Sequence, residues 1–130
     1  MLDDPAFFAA NTTLTLHTAA NAVRELARTE PTAMKIAAGT PPGRLQLAVG
    51  DDGPAAWVLF GPGGVDAGRG RVERPDATMT FRDMAVAQGV LSGKADGLAA
   101  IGRGDVAIWG MLPLVDNASL IMDRVERYLA

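Results

Sequence analysis

Residues Gly89 to Gly110 read GVLSGKADGLAAIGRGDVAIWG, and the reading of this stretch decides the fold. Its glycines are punctuation rather than low complexity. A helix stops at Gly93, a short helix stops at Gly104, and a strand stops at Gly110. Asp96 is placed to cap the short helix, which carries Leu98 and Ile101. The Gly93-Lys94 pair looks like a phosphate loop only superficially. The spacing back to Gly89 is one residue short, Ala95 stands where a magnesium-binding hydroxyl belongs, and a helix rather than a strand precedes it. Nothing in the stretch is a catalytic centre, so function has to follow from the shape that its turns create.

On the N-terminal side, Pro75-Asp76 opens a strand, Ala77-Thr78-Met79-Thr80-Phe81. Asp83 then caps a helix in which Met84, Ala87 and Leu91 share a face. On the C-terminal side, Val106 to Trp109 is the last strand. Leu114, Ala118, Ile121, Val125 and Tyr128 follow as a helical stripe, widened by Leu112, Val115, Met122 and Leu129. Asp123 and Arg127 form an i,i+4 pair on its polar side.

The first half reads as a helix followed by strands. Asp4-Pro5 supplies a cap and a first-turn proline, and Leu16, Ala19, Ala20, Val23, Leu26 and Ala27 recur at helical spacing. Thr13 to His17 alternates like a strand, but the later periodicity runs straight back into it, and the helix is expected to end before Pro31. Thr32 to Ala38 fits a short helix or a strand. Arg44 to Val49 then alternates with period two and turns at Gly50-Asp51-Asp52-Gly53. Ala56 to Phe60 is continuously apolar, which predicts a strand covered on both faces. After Gly61-Pro62-Gly63-Gly64, Val65 to Val72 is a weak, glycine-bearing strand expected at an edge or bulge. Strands in one block with helices at the ends define an α+β chain, expected to form one domain over residues 1–130.

Composition narrows the function. Of 130 residues, 48% are hydrophobic and 21% charged, the balance of an ordinary globular chain. The net charge is -3 with a pI near 5.0, and ten of the twelve basic residues are scattered arginines, so no basic stripe for nucleic acid can be drawn. The absence of cysteine excludes disulfides, thiol catalysis and cysteine zinc sites. The acidic start MLDDPAFFAA does not read as a secretory signal, and no apolar run approaches the roughly 20 residues that cross a bilayer. A cytoplasmic protein is the expectation.

Chemistry-bearing residues are sparse. His17 is the single histidine, so a metal site would have to be assembled from scattered carboxylates. Ser92 and Ser119 lack the strand-turn-helix context of a nucleophile elbow. Asp3-Asp4 and Asp51-Asp52 are adjacent carboxylates of a helix start and a turn, not a facing pair. Gly61 to Gly64 and Gly68-Arg69-Gly70 are hairpin turns before they are anion cradles. What remains is apolar. Two tryptophans and six methionines are present, with Met79, Met84, Met111 and Met122 in the second half, where adaptable thioethers suit a cavity lining.

The second half resembles the sterol carrier protein-2 family of lipid-binding domains. Pro75-Asp76-Ala77-Thr78-Met79-Thr80 is similar to that family's fourth-strand motif. From Gly93-Lys94 the spacing also agrees: Asp96, then Ala100, Gly104 and Gly110 around an alternating strand. Gly97 replaces the family's usual proline, and Asp105 its usual lysine. The resemblance implies a five-stranded antiparallel sheet covered on one face by helices, an apolar tunnel between them, and no catalytic set, cofactor or metal. Trp57, Phe81, Met84, Leu91, Ile101, Trp109, Met111, Leu114, Ile121 and Met122 are the expected lining.

The function so implied is non-enzymatic binding, with or without transfer, of a fatty acyl chain, sterol or isoprenoid, including transient membrane contact. Each methylene withdrawn from water contributes about 0.8 kcal/mol. An empty cavity of about 400 Å³ costs on the order of 10 kcal/mol, so the space must be small, collapsible or occupied. The alternative is an accessory module that docks on a partner enzyme, as quinone-biosynthesis relatives do, or a homodimer through the apolar arc of the last helix. An enzyme, the least expected reading, would gain support from His17 facing Asp or Glu inside the pocket.

Overall fold

A computed structural model describes residues 5–91 and 97–129. The elements run α1 (Pro5–Thr29), α2 (Pro31–Ala38), β1 (Gly43–Val49), β2 (Ala55–Gly61), β3 (Gly64–Arg69), β4 (Ala77–Phe81), α3 (Met84–Leu91), α4 (Gly97–Gly102), β5 (Val106–Gly110) and α5 (Leu112–Leu129). The helical reading of Thr13 to His17 holds within α1, and the ambiguous 32–38 segment is helix α2. Glu30 caps α2, its carboxylate accepting from the Ala33 N–H, with Pro31 in the first turn. Asp83 caps α3 through the Val86 N–H at 2.9 Å. That bond, reinforced by Arg82, holds the Asp83 carboxyl below its ordinary range. The expected caps Asp4 and Asp96 and the Gly93-Lys94 pair lie outside the described residues. So do the side chains of Leu98, of Asp123 and Arg127, and of Val125, Tyr128 and Leu129 in the α5 stripe.

The sheet has the order β3-β2-β1-β4-β5. Three pairings are antiparallel, and one differs from expectation: β1 and β4 run parallel, with Leu45 beside Ala77 and Val49 beside Phe81. The reason is the connection after β3. The chain leaves one edge of the sheet and re-enters beyond β1, so residues 70–76 must cross two strands. Gln46 holds this strap. Its Nε2 donates to the carbonyls of Ala56 (2.8 Å) and Gly70 (2.9 Å), and its Oε1 accepts from the Val72 N–H (2.7 Å). Arg71 ties the upper end to the Gly50 and Gly53 carbonyls. At the lower end the Arg44 N–H donates to Asp76. The strand expected over Val65 to Val72 therefore stops at Arg69, and its last residues belong to the strap.

Strand alternation sorts the sheet into two faces. Leu45, Leu47 and Val49 of β1, Ala56, Val58 and Phe60 of β2, Ala77, Met79 and Phe81 of β4, and Val106 of β5 belong to one buried core. All helices cover this inner face: α1 lies over β2 and β3, α5 over β4 and β1, α3 beside β4, and α4 beside β5. The outer face carries a cross-strand row of Gly68, Trp57, Gln46, Thr78 and Trp109. Trp57 lies across β3 so closely that a Cβ at position 68 would overlap its indole, which is why a glycine stands there. Gly110 is in the left-handed region (φ 92°), and a Cβ there would overlap the Asp76 carbonyl. It is the turn that releases β5 into α5.

Candidate functional site

Between the helices and the inner sheet face lies a layer built almost wholly from hydrocarbon. From below it is floored by Met79 and Phe81. From above it is closed by Leu16, Ala20 and Val23 of α1, and by Leu114, Val115, Ala118 and Ile121 of α5. Packing within the layer is uneven. Ala87 is the only described buried side chain of α3, whereas its Met84, Val86, Val90 and Leu91 are partly buried, packed against the core with part of their surface still exposed. Ile108 of β5 and Met122 of α5 share that state.

Among the described residues, the buried polar residues Glu30, Thr40 and Gln46 are each hydrogen-bonded. Glu30, at the junction of α1 and α2, accepts from the Arg124 guanidinium of α5 at 2.7 Å. That bond, ahead of burial and the Ala33 N–H, sets the balance that holds its carboxyl below the ordinary range. Thr40, just past α2, donates to Ile36 and accepts from Asn117 of α5 at 2.9 Å. Gln46 serves the strap on the opposite face. Among the described residues no group of His, Asp and Glu is arranged to hold a metal ion. His17 contacts the Asn21 side chain through Nε2 at 3.3 Å, and its Nδ1 is buried with no hydrogen-bond partner. Its hydrogen-bonding neighbour is an amide, not a carboxylate. Thr15 Oγ1 of α1 meets Gln88 Oε1 of α3 at 3.3 Å.

The ten expected lining residues divide three ways. Phe81, Leu114 and Ile121 are fully buried within the layer, and Met84, Leu91 and Met122 pack against it. Ile101 and Met111 are each 37% exposed. Trp57 and Trp109 must be corrected. Their side chains sit at odd positions of strands whose even positions face the helices, so both project from the outer face; Trp109 is 66% exposed. The expectation that β2 is covered on both faces fails in the same place, because Trp57 and Leu59 are only partly covered. Sequence reading missed Val86, Val90 and Ile108. The signal for Ile108 was its alternation with Trp109; for Val86 and Val90 it was the uniformly apolar composition of α3.

A helix-covered sheet around an apolar layer defines the class of the protein: it has the sterol carrier protein-2 fold. No protein-family profile and no curated protein matches the sequence. Solved structures do. A conserved hypothetical protein of Thermus thermophilus, described as possibly a sterol carrier protein, is 29% identical, with 81% of each chain covered and a TM-score of 0.55. UbiJ-SCP2, a ubiquinone synthesis protein, is 18% identical over 97% of this chain and 96% of that one, with a TM-score of 0.58. Palmitated SCP2L2 of Aedes aegypti is 21% identical over 82% of this chain and 93% of that one, with a TM-score of 0.54.

Proposed function

We propose that this chain is a single lipid-binding domain that takes a hydrophobic ligand, a fatty acyl chain, sterol or isoprenoid, into the layer beneath α3, without catalysing a reaction on it. One observation carries the reading: the partly buried Met84, Val86, Val90 and Leu91 flank an apolar core, while the buried polar residues Glu30, Thr40 and Gln46 are used in holding the fold. Such a layer offers dispersion and desolvation but no acid, base or nucleophile. The palmitate held by the Aedes protein and the sterol-carrier description of the Thermus protein support the same ligand class. Among the described residues no helix is long and apolar enough to cross a membrane, which suits a cytoplasmic carrier making transient membrane contact.

The test is native mass spectrometry of protein purified without detergent, followed by extraction and titration with a fluorescent fatty acid. Co-purified lipid and binding at micromolar or tighter dissociation constants are expected. Protein that yields no lipid and binds no probe ends the proposal. The likeness to UbiJ-SCP2 along nearly the whole chain favours a second reading, an accessory module presenting a lipid or quinone intermediate to a partner enzyme. A stable complex that forms in the absence of lipid would select it.

A further inference from the structure

The turn from β5 into α5 carries apolar surface that the core does not use. Trp109 (66% exposed), Met111 (37%) and Leu112 (56%) follow one another around Gly110. The left-handed backbone of Gly110 (φ 92°) bends the chain there, and the Met111 N–H bonds back to the Asp76 carbonyl at 2.9 Å. Leu112 then opens α5 on the helix face opposite the fully buried Leu114 and Ile121. The three side chains stand on an outer corner, not in a groove. Two arginines adjoin it. The Asp76 N–H bonds to the Arg44 carbonyl at 2.9 Å, so Arg44 lies two strands from Met111, about 10 Å across the sheet. Arg74 precedes Asp76 by two residues in the strap. Both are exposed, and among the described residues neither guanidinium has a hydrogen-bond or ion-pair partner, whereas Arg24, Arg28, Arg82, Arg103 and Arg124 pair with carboxylates. Glu73, Asp76 and Asp116 are exposed near the same corner, so it carries no excess of positive charge. The Asp51-Asp52 turn lies at the far end of β1.

We propose that this corner docks into the headgroup–acyl boundary of a phospholipid bilayer. The docking rests on the lipid-binding reading, since a domain whose ligand resides in a bilayer has to reach one. Area and shape select the occupant. Three side chains offer on the order of a few hundred Å², well under the roughly 800 Å² that each partner of a stable protein complex buries. A protein partner would also need a hollow shaped to an outward corner. A bilayer boundary needs neither: it takes aromatic and aliphatic anchors singly, and an indole, apolar with one polar N–H, suits that depth. The headgroup phosphates supply the acceptors that Arg44 and Arg74 lack within the chain. Because carboxylates stand among those arginines, zwitterionic lipid suffices and anionic lipid is not required. The contact is weak and reversible, as a domain that leaves the bilayer with a lipid requires.

Phosphatidylcholine vesicles, with and without bromine on their acyl chains, test this on the whole chain carrying Trp57→Phe, in which Trp109 is the single indole. Its emission is expected to shift to the blue on vesicles and to be quenched by the brominated lipid, half-maximally at millimolar lipid. Leu112→Asp removes an anchor while placing a carboxylate in the first turn of α5, where it favours the helix. It is expected to raise the half-maximal lipid concentration about fivefold or more. Trp109→Ala in the otherwise unaltered chain, followed by co-flotation, raises it about tenfold or more and keeps the test intact should Trp57→Phe not fold. Emission untouched by brominated vesicles, or vesicle binding indifferent to both Leu112→Asp and Trp109→Ala, overturns the docking. So does a doubled mass in sedimentation that is lost in Trp109→Ala, which gives the corner to a second copy. A fluorescent fatty acid titrated into the same proteins keeps the two readings apart. Fatty-acid binding without vesicle quenching sinks the docking alone, and vesicle quenching without fatty-acid binding sinks the lipid-ligand reading alone.

Discussion

The α5 end of the helical layer and the α3 end cover the same sheet by opposite means. At α5, Leu114 and Ile121 are fully buried, and two polar ties, Glu30 to Arg124 and Thr40 to Asn117, fasten the helix to both ends of α2. Chain direction makes the ties consistent, since Glu30 meets the later residue and Thr40 the earlier, as antiparallel neighbours do. At α3, the cap at Asp83 and the Thr15–Gln88 contact are among the ties of a helix with a single described buried side chain. A domain with the proposed lipid-binding function has to keep its fold when a ligand leaves. Fastening one side of the cover with polar bonds while leaving the other held by adaptable apolar contacts meets that need, because dispersion contacts can be remade against a ligand.

The contrast is most severely tested in the floor. Phe81→Ala removes a fully buried ring and is expected to cost about 3–5 kcal/mol in denaturant unfolding. At α3, Val90→Ala is expected to cost no more than about 1 kcal/mol, because the side chain is only partly buried. The same substitution weakens an acyl probe severalfold in titration. If Val90→Ala were as damaging as Phe81→Ala, α3 would be ordinary core and the difference between the two ends would vanish. The smallest effect falls on the α5 tie and shows only in acid. Because the folded Glu30 carboxyl titrates below its ordinary 4.5, its contribution is complete above that pH and is lost as pH falls through the folded value. Glu30→Gln is therefore expected to be less stable near neutrality and to flatten the acid limb of a thermal-stability profile. An unchanged acid limb would show that Arg124 does not fasten α5 through this charge.

Much of the architecture could be read from residues. The 3.6-residue period of Leu16, Ala20 and Val23, the alternation through Arg44 to Val49, and the glycine stops at 104 and 110 each express a local steric preference that the tertiary structure keeps. The parallel β1–β4 pairing could not be read, because it depends on where the strap re-enters the sheet. Its one marker, Gln46, looks like any polar residue in an alternating strand; its burial follows from backbone groups 24 and 26 residues away. The misplacement of the two tryptophans had a different origin. Aromatic size suggested lining, while the period of two, which assigns Trp57 and Trp109 to the face opposite Val58 and Ile108, already carried the answer. Val86 and Val90 were missed because a uniformly apolar helix has no periodic contrast from which to choose a buried face.

The position of those two indoles bears on how the protein can be watched. Both tryptophans of the chain stand on the outer face, one over Gly68 and one at the β5 edge. Intrinsic emission is thus a gauge of the strap and the sheet edges, and any indole response to an acyl chain would have to pass through the thickness of the sheet. A silent emission spectrum on mixing with lipid is compatible with full occupancy. The optical label for the inner layer has to arrive with the ligand.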